Sequence, residues 1–370
     1  MKILLIGEYS NVHWTLAEGL RQLGHEVKVL SNGDFWKNYP RDYSLVRHLT
    51  PWGGVQYMIQ LLCLLPRLRG YDVVQLINPM FLELKAERIF SIYHYLRKHN
   101  RKVVMGAYGM DYYWVKTGSS ATSPFRYGDF NMGCAQRTNV EAEIERKDWL
   151  GTAKEHLNKM IAANCDAIVA GLYEYWVCYQ LAYPNKTTFI PFPIHWQLDT
   201  RPIQYYDTSR RLRIFIGISK GRSVYKGTDI MLKAAEHIRD KYPNKVQLLI
   251  ARGVPFAQYC EMMEGSDVIL DQLYSYTPAM NALQAMSRGI ICVGGGEPEN
   301  YDILNETELH PIVNVTPSYE SVYEQLEQLV LHPERIRMLQ EQSVAYVHRH
   351  HDYIQVAKQY EALYKSLFYE

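Results

Sequence analysis

One stretch of the sequence combines two features that suit the binding of an anion. Three consecutive glycines at 294–296 follow an apolar run that predicts a strand, and glycines let backbone N–H groups approach a ligand closely. Before that strand, a predicted helix begins near 278–280 and offers unpaired N–H groups and the positive end of its dipole. We therefore predict a site for a negatively charged small ligand at the carboxyl ends of parallel strands. An ordinary β-α-β unit whose glycines only form tight turns explains the same residues equally well.

The elements around this stretch follow from periodicity and composition. The predicted elements are a strand at 268–270, a loop at 274–279, a helix at 280–287 and a strand at 290–293. Ala282, Leu283 and Met286 are spaced for one buried helix face, and Arg288 and Gly289 are typical of a helix end. A strand on each side of a short helix indicates a parallel sheet.

The same alternation of strand and helix runs along the whole chain. Further strands are predicted at 2–6, 27–30, 73–77, 102–106, 167–170, 188–190, 212–217 and 246–251. A proline-rich segment at 191–210 interrupts the alternation and marks a domain boundary. We predict an α/β protein with two doubly wound, Rossmann-like domains facing a central cleft. The predicted divisions are 1–200, 201–345, and a C-terminal helix at 346–370 that packs back on the first domain.

Three local predictions concern segments between these strands. Residues 112–140 read as an irregular loop, and a loop this long is usually functional or mobile. Residues 141–163 read as one long polar helix. A further helix over 228–239 is expected to begin with Thr228 as its capping residue.

Composition excludes several classes of protein. The 370 residues are 47% hydrophobic and 21% charged, and the net charge is +1. Because this net charge produces no strong global field, it points neither to a nucleic-acid partner nor to an acidic membrane. The first strand, loop and helix lack a G-x-G-x-x-G pattern, which disfavours a dinucleotide cofactor. Six cysteines form no C-x-x-C pair, so buried free thiols are expected rather than disulfides or a zinc site.

The start of the chain and its apolar runs bear on localisation. Met1 leads directly into a predicted strand, without the basic and apolar regions of a signal peptide. The longest apolar run, 57–65, is much shorter than the roughly 20 residues of a spanning helix. We therefore expect a cytoplasmic protein, and a peripheral contact with the inner membrane face stays open.

The second half of the sequence contains a characteristic series of residues: Arg222, Lys226, Gly227, Gln284, Ala285, Met286, Gly289 and Val293. With this series it resembles the donor half of the group-1 glycosyltransferases of the GT-B fold. That family typically shows a Gly-Arg or Asn-Arg element, a Lys-Gly pair that opens a helix, and an E-x7-E segment at the corresponding places. In the first half the resemblance is looser and rests on the sequences KILLIG, GHEV, DVVQL and YGMD.

The resemblance implies transfer of a sugar from a nucleotide diphosphate sugar to a glycan or lipid-linked acceptor. It also implies retention of configuration and no bound metal or other cofactor. A diphosphate leaving group gains negative charge as the glycosidic bond breaks, so a metal-free enzyme must supply positive charge. Arg222 and Lys226 are suited to this task. Asp111 matches the aspartate of the family's Gly-x-Asp element and completes the catalytic candidates.

The donor-binding candidates are Tyr276, Thr277, Gln284, Gly295 and Glu297. Tyr276 and Gln284 stand where the family has its two glutamates. Gln284 can still exchange hydrogen bonds with ribose hydroxyls but lacks the charge, and Tyr276 can stack on a sugar or base. Glu297, together with Glu299 and Asn300, is placed to reach donor hydroxyls.

Tyr108 occupies the position at which the family commonly has a histidine. His13 and His195 are the remaining candidates for a general base, although a lone histidine is more often structural. Glu8 and Tyr9 follow the first strand and are expected to contact an acceptor or phosphate.

Two other functions remain open at this point. Replacement of both glutamates and of the histidine favours a catalytically silent protein that binds nucleotide sugars or glycans. A UDP-sugar 2-epimerase shares the fold, although the Lys-Gly loop fits that class less well.

Overall fold

The computed structural model describes residues 1–196, 202–219 and 221–369. Contacts divide the chain into two compact units. The first unit comprises Met1–Lys116, Arg146–Pro193 and the residues from Tyr353 onward. The second unit comprises Thr117–Glu145 and the described part of Ile194–Asp352. The predicted boundary between residues 200 and 201 lies outside the described residues.

Parallel strands and short helices alternate in both units. The strands are β1 (Lys2–Ile6), β2 (Glu26–Ser31), β3 (Tyr43–Ser44), β4 (Val73–Leu76), β5 (Lys102–Ala107), β6 (Asn131–Met132), β7 (Ala135–Gln136), β8 (Ala167–Ala170), β9 (Thr187–Phe189), β10 (Leu212–Ile218), β11 (Val246–Arg252), β12 (Val268–Leu270), β13 (Ile291–Gly294) and β14 (Val313–Asn314).

The helices connect these strands and cover the sheets. They are α1 (Val12–Gln22), α2 (Gly53–Leu64), α3 (Ala86–His99), α4 (Tyr112–Gly118), α5 (Val140–Trp149), α6 (Ala153–Asn164), α7 (Tyr173–Ala182), α8 (Ser223–Lys226), α9 (Thr228–Lys241), α10 (Phe256–Glu264), α11 (Met280–Met286), α12 (Pro298–Leu304), α13 (Tyr319–Leu331), α14 (Glu334–His350) and α15 (Tyr353–Ser366). Short 3-10 turns lie at Phe35–Lys37 and Leu65–Arg67.

The first unit is built on a parallel sheet with the order β3-β2-β1-β4-β5-β8-β9. Apart from Lys2 and Lys102 at their first positions, the central strands β1, β4, β5 and β8 are buried, as expected when helices cover both faces of a parallel sheet. The strand order reverses between β1 and β4. Helix α15 packs against α1, where Gly19 permits the approach of Ala357: a Cβ on Gly19 would lie 2.7 Å from the Ala357 Cβ.

The second unit is built on a parallel sheet with the order β11-β10-β12-β13-β14. Its core combines the apolar strand residues with one face each of α9, α13 and α14. The strand order reverses between β10 and β12. The α/β class with two Rossmann-like units, predicted from the alternation of apolar runs, is therefore confirmed.

The predicted division placed residues 117–145 in the first domain, 1–200. In the structure these residues fold with the second unit. The segment predicted as an irregular loop contains α4 and the antiparallel pair β6–β7. The predicted long helix at 141–163 is two helices, α5 and α6. The break contains Gly151 at φ 71°, a left-handed conformation that interrupts a helix.

Two further local predictions require correction. Thr228 is the first residue of α9 rather than its cap, and its hydroxyl contacts the Ser223 hydroxyl at 2.9 Å. All six cysteines are free thiols, but Cys63 and Cys134 are exposed rather than buried. None of the helices within residues 1–196, 202–219 and 221–369 is both long and apolar enough to cross a membrane.

Candidate functional site

The carboxyl edge of the second sheet, at the reversal between β10 and β12, positions Lys226. The chain leaves β10 and forms α8, which ends at Gly227 with φ 73°. The N–H of Leu273, in the loop after β12, donates to the Lys226 carbonyl at 3.0 Å. A side chain at Gly227 would lie 2.5 Å from the Leu273 Cβ. The close approach of these two loops, which only glycine permits, therefore holds Lys226 at the end of β12.

The two predicted cations of this loop differ in their exposure to solvent. Arg222 is exposed, with its guanidinium 5.5 Å from the ring centre of Tyr225, and Lys226 is half-buried. In an α/β sheet, the crevice at a reversal of strand order is the usual place for a ligand. The arrangement therefore puts two cationic side chains at such a crevice.

Asp271 lies directly after β12 and was not among the candidates predicted from the sequence. Burial raises the pKa of its carboxyl to about 6, while the charge of Lys226 and the N–H of Ala279 act in the opposite direction. The positive charge of Lys226 therefore limits the rise in the pKa of Asp271. The sequence did carry a signal, since an acidic residue stands at the carboxyl end of a predicted parallel strand.

Tyr276 lies in the loop after β12 and is covered by residues of the 117–145 segment. Its side chain is 2% exposed, and its hydroxyl accepts the N–H of Arg126 at 2.6 Å. The ring centre lies 5.0 Å from that of Tyr127 and 4.9 Å from the Arg126 guanidinium. Stacking of Tyr276 on a ligand, as the sequence analysis expected, would require these contacts to be displaced.

Glu297 is buried in the same cluster. Its carboxylate accepts the Tyr127 hydroxyl, the Arg126 guanidinium at 2.8 Å and the Asn314 amide at 3.1 Å. Arg126 also pairs with Glu299, with one N···O distance of 3.0 Å. The carboxylates of Glu297 and Glu299, which were predicted to reach donor hydroxyls, are therefore paired with Arg126. Arg126 and Glu297 are 171 residues apart in the sequence.

Arg137 joins the 117–145 segment to the loop that carries Lys226. Its guanidinium donates to the carbonyls of Val224 at 2.8 Å and Tyr225 at 3.1 Å, and it lies 3.4 Å from the ring centre of Tyr274. Burial lowers the pKa of Arg137. Because Val224 and Tyr225 belong to α8, Arg137 fixes the helix of Lys226. No local pattern in the sequence marks Arg137 for this position.

The other predicted donor-binding residues occupy different environments. The Ser275 hydroxyl donates to the carbonyl of the buried Thr277 at 2.7 Å. A side chain at Gly295 would lie 2.2 Å from the Ser275 carbonyl oxygen, so Gly295 permits the close approach of two loops of the protein itself. Gln284 is exposed on α11, where its amide is accessible.

Asp111 belongs to the first unit, whereas Arg222, Lys226 and the five donor-binding candidates belong to the second. Its carboxylate is fully buried and accepts the N–H of Trp114 at 2.9 Å and the Tyr179 hydroxyl at 2.7 Å. Burial raises the pKa of Asp111 to about 6, and these two hydrogen bonds oppose that rise. In its own unit, Asp111 therefore fixes the start of α4.

His13 and Glu8 lie at the reversal of the first sheet, where β1 ends. His13 is fully buried, and its Nδ1 donates to the Gly7 carbonyl at 2.8 Å. Burial lowers the pKa of His13 to about 3. Burial raises the pKa of Glu8 to about 8, although its carboxylate accepts the N–H of His13 at 3.2 Å and of Trp14 at 2.9 Å. His13 is thus a neutral, internally bonded side chain.

Tyr108 also participates in an internal network of the first unit. Its hydroxyl contacts the Tyr360 hydroxyl and accepts the Gln75 amide at 3.2 Å. The Tyr364 hydroxyl donates to the same Gln75 at 2.6 Å. His195 is half-buried in the second unit. Among the residues that the structure describes, no group of three or more His, Cys, Asp or Glu side chains is arranged to hold a metal ion.

The sequence matches no family model and no curated protein sequence. Solved structures nevertheless share its fold over the full chain. Sucrose-phosphate synthase from Thermosynechococcus elongatus superposes with a TM-score of 0.62 at 12% identity, covering 100% of this chain and 99% of that one. HepE from Anabaena, solved in complex with UDP-glucose, gives 0.61 at 10% identity, covering 99% and 100%.

A third similar structure belongs to an enzyme of another kind. UDP-GlcNAc 2-epimerase from Neisseria meningitidis, bound to UDP-GlcNAc, superposes with a TM-score of 0.56 at 11% identity, covering 99% of this chain and 100% of that one. The structures similar to this chain therefore include GT-B glycosyltransferases and UDP-sugar epimerases. At these identities the likeness shows the fold, which is GT-B.

Proposed function

We propose that this protein is a glycosyltransferase that moves a sugar from a nucleotide diphosphate sugar to a glycan or lipid-linked acceptor. The observation that carries the proposal is the placement of Lys226 at the strand reversal of the second sheet, beside Arg222. The GT-B fold adds support, because similar structures of that fold were solved with UDP or a UDP-sugar bound.

In the proposed reaction, Lys226 and Arg222 bind the diphosphate and stabilise the negative charge that develops on the leaving group. Lys226 is held by the Leu273 hydrogen bond and by the contacts of Arg137 with α8. A cation that is already positioned needs little reorganisation as charge develops. We propose that these side chains act without a bound metal and that the sugar is transferred with retention.

The remaining predicted residues take supporting roles in this proposal. The exposed amide of Gln284 is accessible to ribose hydroxyls. Tyr276, Thr277, Gly295 and Glu297 belong to the loops that follow β12 and β13, and we propose that they form a wall that the donor sugar contacts.

A catalytically silent nucleotide-sugar-binding protein is the second candidate, and one observation favours it. Tyr276 and Glu297 are both engaged by Arg126 and Tyr127. A wall whose polar groups are satisfied internally offers fewer groups to a reacting sugar.

Calorimetric binding of UDP, GDP and ADP, with magnesium and with a chelator, tests the proposed donor site. We expect one diphosphate to bind equally well under both conditions. Lys226→Ala should weaken that binding by about 1.5–3 kcal/mol, or roughly 10- to 150-fold, through loss of a charge-assisted hydrogen bond. Lys233→Ala, which removes an exposed cation of α9, is the matched control and should bind like the wild type.

Equal affinity in Lys226→Ala and wild type would remove Lys226 from the donor site. If a diphosphate binds, product assays with the corresponding nucleotide sugars separate the candidates. Release of the nucleotide with acceptor glycosylation supports transfer, and binding without turnover supports the silent protein. Conversion of the UDP-sugar without any acceptor would instead indicate an epimerase.

A further inference from the structure

Helix α2 presents an apolar face that the first unit does not cover. Within the helix only Gly53, Tyr57 and Leu61 are buried. The α2 surface, as we name it, consists of large apolar side chains of α2 and of the four residues before it, each more than half exposed: Leu49, Trp52, Val55, Ile59 and Leu62. Isolated exposed apolar residues are common, but a series of them at intervals of three or four residues marks an interaction site.

The charged side chains of the segment that carries the α2 surface have a single sign. Residues 43–71 contain no Asp or Glu, but they contain three arginines, Arg47, Arg67 and Arg69, all of them exposed. Arg47 precedes α2, and the other two follow it. An acidic residue from outside the segment contacts it, since the half-buried carboxylate of Glu83 accepts the Arg47 N–H at 3.2 Å. The apolar row is therefore flanked at both ends by positive charge.

We infer that the α2 surface docks on the surface of a lipid bilayer that contains anionic lipids. A helix with an apolar exposed face and cationic flanks lies in the plane of the interface, with its apolar side chains among the upper acyl chains. Arg47, Arg67 and Arg69 then contact lipid phosphates, and each contact strengthens binding by roughly fivefold. Trp52, at the start of the helix, suits the headgroup level, where tryptophan is enriched.

The charge pattern argues against a second copy of the chain as the occupant. In a symmetric dimer the same patch faces itself. Each copy would bring the three arginines of residues 43–71 and the Glu83 carboxylate to such an interface, so a dimer through this surface would carry an excess of positive charge. An anionic bilayer provides both the apolar phase and the negative charge that this surface lacks.

This inference goes beyond the proposed function, because it does not depend on nucleotide binding. The two are compatible, since an acceptor linked to a lipid would lie in the bilayer to which α2 docks. The experiment below contains no nucleotide, so its result does not depend on the donor site.

Sedimentation with vesicles of equal parts phosphatidylcholine and phosphatidylglycerol tests the inference. We expect the full chain to bind these vesicles at low salt and to bind pure phosphatidylcholine vesicles more weakly. The double variant Ile59→Glu with Leu62→Glu should lose binding by at least about tenfold, because it places two carboxylates in the apolar layer. Arg67→Gln with Arg69→Gln should weaken binding by roughly fivefold for each arginine removed.

The double variant Leu331→Glu with Met338→Glu is the matched control, since it adds the same two charges at exposed apolar positions of α13 and α14 in the second unit. It should bind vesicles like the wild type. Circular dichroism checks that every variant is folded. Wild-type protein that stays in the supernatant, or an Ile59→Glu, Leu62→Glu variant that sediments like the wild type, overturns the inference. A solution dimer that this variant dissociates, without vesicle binding by the wild type, assigns the surface to a second copy.

Discussion

The two parallel sheets carry different chemistry at the point where their strand order reverses. In the first unit, His13 and Glu8 are buried there, and backbone groups of the same loop and helix satisfy them. In the second unit, Lys226 is half-buried and Arg222 is exposed. The backbone topology is equivalent, so the side chains that follow the strands decide which edge can attract an anion.

The amino edges of the same two sheets are, by contrast, built alike. An aspartate directly before a strand accepts the backbone N–H of a residue on the neighbouring strand: Asp72 from Lys2 at 2.8 Å, Asp166 from Val103 at 2.7 Å, and Asp267 from Arg213 at 2.8 Å. Each aspartate N–H donates in return to the carbonyl of that same residue at 2.8 Å. This repeated pair closes the start of a strand in both units.

The contrast between the edges separates two kinds of residue. At the amino edge, the aspartates satisfy backbone groups that every parallel sheet must pair, which is a contribution to stability. At the carboxyl edge, the loops are free to vary, and binding residues concentrate in such loops. The following predictions test this separation, beginning with the largest expected effect.

Asp267→Ala should be the most destabilising substitution. Its fully buried carboxylate binds the Arg210 guanidinium through two contacts of 2.6 Å. Loss of one partner of a buried pair costs about 3–5 kcal/mol, because the other charge remains without compensation. Urea unfolding measures the loss.

Asp72→Ala is the comparison at the amino edge of the first sheet. Asp72 is partly exposed, and Arg101 approaches it at 3.1 Å, so the expected loss is about 1 kcal/mol. If the two variants were equally stable, burial would not be the reason why Asp267 matters.

Gly295→Ala should be less damaging, and its effect should be local to the carboxyl edge of the second sheet. The added Cβ would lie 2.2 Å from the Ser275 carbonyl oxygen, so the Tyr276 loop must shift. Such overpacking costs about 1–3 kcal/mol, measurable by thermal unfolding. Gly294→Ala, with its nearest atom at 3.3 Å, should lose less. The reverse order would contradict the structural role assigned to Gly295.

Glu8→Gln sharpens the comparison through pH. The pKa of Glu8 is raised from 4.5 to about 8 by burial, so the folded protein holds this proton more tightly than the unfolded chain. The associated stability is complete below about pH 4.5 and is lost as the pH rises through about 8. Wild type should therefore lose roughly 3 kcal/mol relative to Glu8→Gln between pH 5 and 8, because each pH unit between the two pKa values costs about 1.4 kcal/mol.

Urea unfolding across that pH range measures the difference. Glu26→Gln, which removes the same charge from an exposed position in β2, should run parallel to the wild type. A constant difference between Glu8→Gln and wild type at all pH values would show that Glu8 does not titrate in this window.

Much of the architecture could be predicted from local patterns. Apolar runs such as those of β1 and β12 are read directly, because a strand buried on both faces needs an apolar residue at every position. Glycine and proline marked the ends of helices, because the backbone preferences of these two residues are also local. The break between α5 and α6 was missed because a single Gly151 in a polar stretch is a weak signal against strong helix formers.

The sequence by itself determined the two α/β units, the strand-helix alternation and the loop that presents Arg222 and Lys226. Only the tertiary structure decided the surroundings of that loop. Arg126 and Arg137 come from a segment that lies far earlier in the sequence. Arg126 contacts Tyr276 and Glu297, and Arg137 donates hydrogen bonds to α8. Periodicity reports neighbours within a few positions along one element, whereas these contacts exist only after the chain has folded back on itself.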